Sequence, residues 1–227
     1  VMLAACLTTS AFAQSIEKSK VSIAVGGKNL FYYLPLTIAE QLGYFKDEGL
    51  EVEISDFSGG SKALQALIGG SADVVSGAFE HTINMQAKGQ MITAFVLQGR
   101  APQIVFGVSN KTLPNYESIA DLKGKKIGVS APGSSTNIMA NFVLSKGGLT
   151  PTDVSFIGVG TSAGALSALR SGQIDASSNL DPVITMLQQK HGIRLIAHTR
   201  KPSDTTAFFG RPIPPGPLAP PTPPAQK

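Results

Sequence analysis

The sequence predicts an α/β fold of two similar lobes, each with a mostly parallel sheet flanked by helices. Three observations predict it. Short β-type runs alternate with helical patterns between residues 21 and 198, a set of residues recurs at a constant distance, and small polar loops follow the strands. Alternation of strands and helices is typical of parallel sheets that are covered by helices on both faces.

Each element follows from the spacing of apolar residues. Strands are predicted where short runs are β-branched or alternate in polarity, at residues 21–25, 51–57, 73–76, 91–97, 126–130, 154–159, 174–178 and 193–198. Helices are predicted where apolar residues recur at helical spacing, at residues 34–42, 61–68, 79–88, 136–146, 163–170 and 180–191. Pro35 suits the start of its helix, because the amide hydrogen that proline lacks would have no partner there.

An internal repeat relates the two halves. Asp73 and Asp175 lie 102 residues apart. The same offset relates Val52 to Val154, Ala63 to Ala165, Leu64 to Leu166, Ala66 to Ala168, Leu67 to Leu169, Gly70 to Gly172 and Ser76 to Ser178. We expect the two glycines to end helices in the left-handed conformation and the two aspartates to shape the turns at strand entrances. The repeat predicts lobe 1 over residues 21–98, a crossover hinge over 99–103 and an incomplete lobe 2 over 104–209.

Composition excludes several classes of protein. Hydrophobic residues make up 42% of the chain and charged residues 15%, which is too apolar for a disordered chain and too weakly charged for a coiled coil. The net charge of +4 forms no basic stripe, so nucleic acid is not an expected partner. With one Cys, three His and no Trp, the sequence predicts no disulfide, no metal site and no cofactor.

The two ends differ from the middle. Residues 1–13 (VMLAACLTTSAFA) resemble the end of a secretory signal peptide cleaved before Gln14, and lipid attachment at Cys6 is the alternative. We therefore expect an exported, periplasmic protein. Residues 210–227 hold eight of the 15 prolines. We expect this segment to be extended or disordered, either as a proline-rich linker or because the reading frame was lost near Phe209.

The candidate ligand site lies at the carboxyl ends of the predicted strands, where loops meet helix N-termini. The loops there are small and polar, at residues 26–29, 58–61, 77–78, 131–136, 160–163 and 179–181. Their N–H groups and hydroxyls favour a small anion. Helix capping is the alternative role for Ser61, Ser135 and Thr136. Arg100, at the crossover, either pairs with the anion or is a solvated hinge residue, and Phe31, Tyr32 and Tyr33 form either an apolar wall or part of the core.

One motif suggests a hydrolase instead. Residues 160–164 match the pattern G-x-S-x-G between a predicted strand and helix, with Ser162 as the nucleophile. Asp175 or Asp181 with His191 or His198 would complete a triad. The internal repeat argues against this role, because the equivalent loop of the first half, Gly59-Gly60-Ser61, lacks the pattern.

Three long motifs resemble a known family. They are LPLTIAEQLGYFKDEGLEVEI, GGSKALQALIGGSADVVSGA and DLKGKKIGVSAPGSSTNIMANFVL. Over about residues 20–209 the chain resembles periplasmic substrate-binding proteins of ABC importers. The group is the aliphatic sulfonate, nitrate and taurine type, which includes binders of a thiamine pyrimidine precursor.

The resemblance implies a type II-like periplasmic binding fold whose C-terminal return segment to the first lobe is missing here. It implies ligand-facing positions at Asn29, Gly60, Ser61, Ala78, Arg100, Ser135, Thr136 and Asn179. Fungal relatives on this fold make the thiamine pyrimidine and use a cysteine-rich motif. Cleavage after Ala13 would leave this chain without any cysteine, which argues against that enzyme.

Together these observations predict a non-enzymatic, monomeric solute-binding component of an ABC importer. It would close two lobes over a small organic anion, such as a sulfonate, nitrate or taurine-like solute, and deliver it to a membrane permease. The alternatives are an enzyme on the same fold, either a thiamine-pyrimidine synthase type or a hydrolase using Ser162, and a truncated product without function.

Overall fold

The computed structural model describes residues 16–210. The predicted signal peptide at residues 1–13, with Cys6, and the proline-rich segment after Gly210 lie outside the described residues. None of the helices between residues 16 and 210 has both the length and the hydrophobicity of a membrane-spanning segment. The same residues contain no cluster of His, Cys, Asp or Glu side chains that could hold a metal ion.

Eight strands and eight α-helices make up the described chain. The strands are β1 Lys20–Val25, β2 Glu51–Asp56, β3 Val74–Ser76, β4 Val105–Ser109, β5 Lys126–Val129, β6 Ser155–Gly158, β7 Ala176–Asn179 and β8 Ile193–His198. The helices are α1 Leu34–Gln41, α2 Tyr44–Asp47, α3 Gly60–Ile68, α4 Glu80–Gln86, α5 Ser135–Lys146, α6 Ala163–Ser171, α7 Val183–Gln189 and α8 Pro202–Phe209. Three short 3₁₀ turns occur at Phe31–Tyr33, Ile119–Leu122 and Pro151–Asp153.

Two separate sheets confirm the predicted two-lobed α/β architecture. In lobe 1, parallel strands lie in the order β2-β1-β3. In lobe 2, the order is β6-β5-β7-β4-β8, and β4 runs antiparallel to both of its neighbours. The remaining pairs of lobe 2 are parallel. The exact lobe boundaries and the hinge at residues 99–103 stay predictions.

The repeat predicts local geometry correctly. Gly70 and Gly172 both have left-handed backbone angles, with φ of 74° and 87°, at helix ends. The Asp73 carboxylate accepts hydrogen bonds from the amide and the hydroxyl of Ser22, each at 2.9 Å. The Asp175 carboxylate accepts one from the Lys126 amide at 2.9 Å. Both aspartates therefore hold the first half of the neighbouring strand, Asp73 at the third residue of β1 and Asp175 at the first residue of β5.

Strand β4 was not predicted, and its sequence explains why. The run is apolar up to its last residue, Ser109, is fully buried, and contains Gly107, a residue type depleted in strands. At Gly107 the register with β8 shifts, and a Cβ there would lie 2.8 Å from the carbonyl oxygen of Arg194. Only glycine fits at this position, because the irregular pairing brings the backbone of β8 too close for a side chain.

The prediction of a strand at residues 91–97 is wrong. No residue between 16 and 210 pairs with this segment, which forms no regular element. Met91, Phe95 and Leu97 are 75%, 74% and 72% exposed. The apolar pattern is that of a strand, but strand geometry needs a hydrogen-bonded neighbour.

The core extends through both lobes. Its largest cluster joins lobe 1 residues such as Val25 and Tyr33 to lobe 2 residues such as Phe106 and Ile127. A second cluster lies within lobe 2, between β4, α6 and α7, and includes Leu169 and Ile184. A third, small cluster of alanines joins β1 to α3. The loops that face each other between the two sheets are therefore supported by packed side chains in each lobe.

Candidate functional site

Two helix N-termini meet between the lobes. The Ser134 hydroxyl, just before α5, accepts a hydrogen bond from the Ser61 amide in the first turn of α3 at 3.0 Å. It also donates to the Ser61 hydroxyl at 3.0 Å, and Ser61 donates in turn to the carbonyl oxygen of Pro132 at 2.9 Å. The starts of α3 and α5 are therefore in direct contact across the cleft.

A second contact closes the cleft beside the first. The Asn29 side-chain amide donates to the carbonyl oxygen of Thr161 at 2.8 Å. The Phe31 amide donates to the carbonyl oxygen of Asp181 at 3.1 Å. Both contacts join the loop after β1 in lobe 1 to loops of lobe 2. The structure is therefore a closed arrangement of the two lobes.

Glycines allow this close approach. A Cβ on Gly26 would lie 2.3 Å from the backbone nitrogen of Gly60, and one on Gly59 would lie 2.9 Å from the Ala131 Cβ. Both distances are shorter than real carbon contacts, so any side chain would push the loops apart. The glycine-rich loops predicted from sequence thus serve close packing of backbone around the site.

The electrostatics of the cleft favour negative charge. The first-turn amides of a helix have no partner within the helix, and its N-terminus carries a partial positive charge. Helices α3 and α5, of nine and twelve residues, both direct such ends toward the Ser61–Ser134 contact. Lys28, on the loop after β1, is paired with Glu40 at 2.7 Å. A negative charge in the cleft would therefore be balanced by the dipoles of α3 and α5 rather than by Lys28.

Aromatic and titratable groups back the site in lobe 1. The Tyr33 hydroxyl accepts a hydrogen bond from the Gly26 amide at 3.2 Å, and burial raises the pKa of Tyr33 to about 12. Burial also raises the pKa of Tyr32 and lowers the pKa of His81, although the nearby Glu80 raises the latter. His81 is 5% exposed, and its Nε2 has no hydrogen-bond partner among the described residues. A Cβ on Gly60 would lie 3.2 Å from this nitrogen, so the imidazole lies directly behind the start of α3.

The structure gives the remaining predicted site residues different surroundings. Thr136 is buried, and its hydroxyl accepts from the Ser130 amide at 3.0 Å. The Asn179 side chain donates to the carbonyl oxygen of Gly160 at 3.0 Å and so holds the loop that carries Thr161. Ser135 is half-buried in the first turn of α5, and Ala78 is half-buried before α4. Arg100 is exposed. Ligand contact by these residues stays a prediction.

Sequence reasoning missed three residues of the cleft. Ser134 and Thr161 lie in the predicted polar loops but are not among the predicted ligand-facing residues, yet they make the contacts to lobe 1. Their position before α5 and α6 was the available signal, because residues there face the carboxyl edge of the sheet. The sequence predicts no role for His81. Only its burial against Gly60 distinguishes it, and a single sequence does not show that contact.

The groups named for a hydrolase are engaged elsewhere. Asp181 accepts from Arg200 Nε at 2.8 Å, and His198 Nδ1 lies 3.2 Å from Asp204. Asp175 binds the backbone at the entrance of β5. Ser162 is an exposed residue that precedes α6. A triad requires hydrogen bonds from Ser to His to Asp, but among the described residues Asp175, Asp181 and His198 bind other partners.

The two sheets and their flanking helices match the type II fold of solved periplasmic binding proteins. The chain belongs to the NMT1/THI5-like family, whose sequence model matches residues 30–199.

Individual relatives agree with this assignment. A protein of Bordetella bronchiseptica RB50 has a solved structure that is 67% identical, with a TM-score of 0.86 over 87% of this chain and 62% of that one. The alkanesulfonate-binding protein SsuA of Xanthomonas axonopodis pv. citri, solved with bound MOPS, is 26% identical, with a TM-score of 0.64 over 81% of this chain and 62% of that one.

An enzyme is also among the relatives. The 4-amino-5-hydroxymethyl-2-methylpyrimidine phosphate synthase of Schizosaccharomyces pombe is 27% identical over 73% of this chain and 46% of its own length. The chain thus spans about half to two-thirds of the length of the relatives that it matches.

Proposed function

We propose that this chain is the solute-binding component of an ABC-type importer, and that it captures a small organic anion between its lobes. The observation that carries the proposal is the meeting of the α3 and α5 N-termini through Ser61 and Ser134. Two positive helix ends that face each other form a site for an anion on the line between them, and the Ser61 amide becomes available to the anion when its bond to Ser134 breaks.

The chemistry of the cleft suits a compact, oxygen-rich anion. Hydroxyl groups of Ser61 and Ser134 and backbone amides are donors that nitrate, sulfonate and carboxylate oxygens accept readily. Lys28 is already neutralised by Glu40, so the charge of the solute would be balanced by helix dipoles. The related SsuA, solved with bound MOPS, supports sulfonates as the first class to test.

Capture would require the lobes to open. The Ser61–Ser134 and Asn29–Thr161 hydrogen bonds occupy the space between the lobes in the closed arrangement. A solute enters when these bonds break, and its own oxygens then replace the lost partners. The predicted hinge at residues 99–103 would absorb the motion. Delivery to a membrane permease, export to the periplasm and a monomeric state complete the proposal.

A second candidate is a thiamine-pyrimidine synthase, because one relative of this chain is such an enzyme. The cysteine-rich motif that the resemblance implies for the fungal enzymes has no counterpart in residues 16–210, which contain no cysteine. Non-enzymatic binding is therefore the function that we propose.

The test is a thermal-unfolding measurement on the full chain with nitrate, methanesulfonate, taurine, MOPS or an aminopyrimidine in separate samples. A ligand at 100 times its Kd stabilises the folded state by about 2.7 kcal/mol, which raises Tm by roughly 5–10 °C for a chain of this size. We expect a rise with at least one sulfonate or with nitrate. A rise with the aminopyrimidine alone would contradict the anion proposal and favour the synthase type.

A matched pair of variants locates the site. Ser61→Ala removes a hydroxyl from the cleft, whereas Ser145→Ala removes one that binds the carbonyl oxygen of Phe142 within α5. We expect the Kd for the active anion to weaken about tenfold in the first variant, as for loss of one charge-assisted hydrogen bond, and to stay unchanged in the second. Equal affinity in both variants would place the site elsewhere.

A further inference from the structure

Two buried polar atoms at the start of α4 have no hydrogen-bond partner among the described residues. They are Oε1 of Glu80 and Nε2 of His81, a residue that is 5% exposed. Buried polar atoms in folded proteins are nearly always hydrogen-bonded, because an unpaired one loses its hydration without compensation. Two such atoms on neighbouring residues indicate a bound partner, and their surroundings show where that partner lies.

The imidazole of His81 lies beside the start of α3. A Cβ on Gly60 would lie 3.2 Å from His81 Nε2, so this nitrogen is next to the first residue of that helix. The following residue, Ser61, makes the contact to Ser134 of lobe 2 through its amide and its hydroxyl. The unpartnered nitrogen is therefore close to the positive helix end at which we place the anion.

The carboxylate of Glu80 lies near the two tyrosines that follow β1. Burial is the main cause of the raised pKa values of Tyr32 and Tyr33, and the negative charge of Glu80 raises both further. The Tyr33 hydroxyl in turn binds the amide of Gly26, at the end of β1. Glu80 therefore lies on the side of α4 that faces β1 and the cleft, away from the open side of β3.

The two groups need different partners. An ionised carboxylate only accepts hydrogen bonds, so Glu80 requires a donor and repels an anion. Burial lowers the pKa of His81 more than Glu80 raises it, so the imidazole is neutral at neutral pH and carries one N–H. Beside a positive helix end, an N–H on Nε2 suits an anion oxygen. A plain anion would satisfy His81 and leave Glu80 unpaired.

We propose that the solute carries an amino group a short distance from its anionic group, and that Glu80 and His81 bind these two groups. The Glu80 carboxylate accepts hydrogen bonds from the amino group, and His81 Nε2 donates to the anion. The assignment rests on the proposed function, since both contacts belong to the same cleft. Among small organic anions, it selects those with an amino group over nitrate and simple sulfonates.

The test compares ligands that differ only in the amino group, by isothermal titration calorimetry on the full chain. Taurine is paired with 1-propanesulfonate, in which a methyl group replaces the ammonium, and homotaurine is paired with 1-butanesulfonate. We expect at least one amino compound to bind about tenfold or more tightly than its partner, as for a charge-assisted hydrogen bond to a buried carboxylate.

The outcomes separate this assignment from the proposed function. Binding of nitrate or of the amino-free sulfonates, without a preference for the amino compounds, would overturn the amino assignment and leave the proposed function standing. Binding of none of these anions would overturn both.

A variant of Glu80 tests the amino contact. Glu80→Gln removes the negative charge with little change in shape, and we expect it to weaken binding of the amino compound alone, by about tenfold. Glu48→Gln, the same change at an exposed position, should leave the ratio of the two affinities as it is. An unchanged ratio in Glu80→Gln would overturn the assignment.

Variants of His81 test the contact to the anion. His81→Phe removes Nε2, and we expect it to weaken both members of a ligand pair about tenfold without changing their ratio. His81→Gln should restore most of the affinity, because its amide nitrogen can take the place of Nε2. Equal affinity in the wild-type and His81→Phe proteins would overturn this contact. The Glu80→Gln comparison decides the amino contact whether or not the phenylalanine variant folds.

Discussion

Asp181 connects the two lobes at the mouth of the cleft. Its carbonyl oxygen accepts from the Phe31 amide of lobe 1. Its carboxylate accepts from Arg200 at 2.8 and 3.1 Å and from the Thr185 amide at 3.0 Å. Burial raises the pKa of Asp181, but the hydrogen bonds from Arg200 and Thr185 lower it more, so its pKa lies below the usual value. The ionised carboxylate is therefore part of the folded structure.

Asp181→Asn should destabilise the protein in a pH-dependent way. The folded-state pKa is depressed, so the stabilisation is complete above the unfolded pKa of about 4 and is lost as pH falls through the folded value. We expect urea unfolding at neutral pH to show a loss of about 1–3 kcal/mol. The loss should shrink at about pH 2, where the wild-type carboxylate is also protonated. Asp47→Asn, at an exposed position, is the control, and an equal loss at both pH values would contradict the assignment.

Single residues of the site were predictable only in part. Asn29 and Ser61 follow from the rule that polar loops at the carboxyl ends of strands face a ligand, and both lie at the lobe contact. Their partners Ser134 and Thr161 were not singled out, since which hydroxyl reaches across a cleft depends on lobe packing. Whether Arg100 meets a ligand depends on a tertiary contact that periodicity does not encode.

At the scale of elements, the turn from β5 into α5 is held by one side chain. Thr136 is 1% exposed, and its hydroxyl accepts from the Ser130 amide at 3.0 Å and lies 2.8 Å from the Ser130 hydroxyl. From the sequence, Thr136 is predicted to be either a ligand contact or a helix cap. In the structure its hydroxyl satisfies the backbone at the end of β5, so the start of α5 is fixed relative to the sheet.

Thr136→Val should therefore loosen this turn. Valine keeps the shape of threonine but leaves the buried Ser130 amide without an acceptor, at a cost of about 1–3 kcal/mol in unfolding free energy. Faster hydrogen exchange at Ser130 should accompany the loss. Thr152→Val, at an exposed site, should change stability by no more than about 0.5 kcal/mol. Unchanged exchange at Ser130 would show that the hydroxyl contributes little.

Elements with local signals were predicted well, and those that depend on distant partners were not. Periodicity located α3, α5 and α6 within a residue or two. It failed at β4, where an apolar run with a glycine gives no period, and at residues 91–97, where a strand pattern has no neighbour. It also gave no sign of α8, which begins at Pro202 and packs Phe208 against Phe142. A strand forms only beside a neighbouring strand, and the polarity pattern of one segment does not show whether such a neighbour exists.

At the scale of the whole molecule, the lobes differ in completeness. Lobe 2 has a five-stranded sheet and a second core cluster of its own. Lobe 1 has three strands, of which β3 is three residues long and open on one side. Exposed apolar side chains concentrate in lobe 1, among them Leu42 and Ile83, which are 60% and 58% exposed. Less buried apolar area means a smaller hydrophobic contribution to stability.

Lobe 1 should therefore unfold before lobe 2. Tyr32, Tyr33 and Tyr44 lie in lobe 1 and Tyr116 in lobe 2, and the chain has no Trp. In a Tyr116→Phe variant, tyrosine fluorescence reports lobe 1 alone. We expect its urea midpoint to precede that of the far-UV circular dichroism by roughly 0.5 M, which corresponds to about 1 kcal/mol. Coincident midpoints would show that the shared core makes the two lobes one cooperative unit.

The position of β4 has a consequence for biosynthesis. Val105 pairs with Asn179 and His198, which the ribosome adds roughly 70 to 90 residues later. At about 5–20 residues per second, this apolar strand waits for several seconds before either neighbour exists. Lobe 1 faces no such delay, since β1, β2 and β3 are all made by residue 76. The nascent chain therefore passes through an interval in which a fully buried strand has neither of its neighbours.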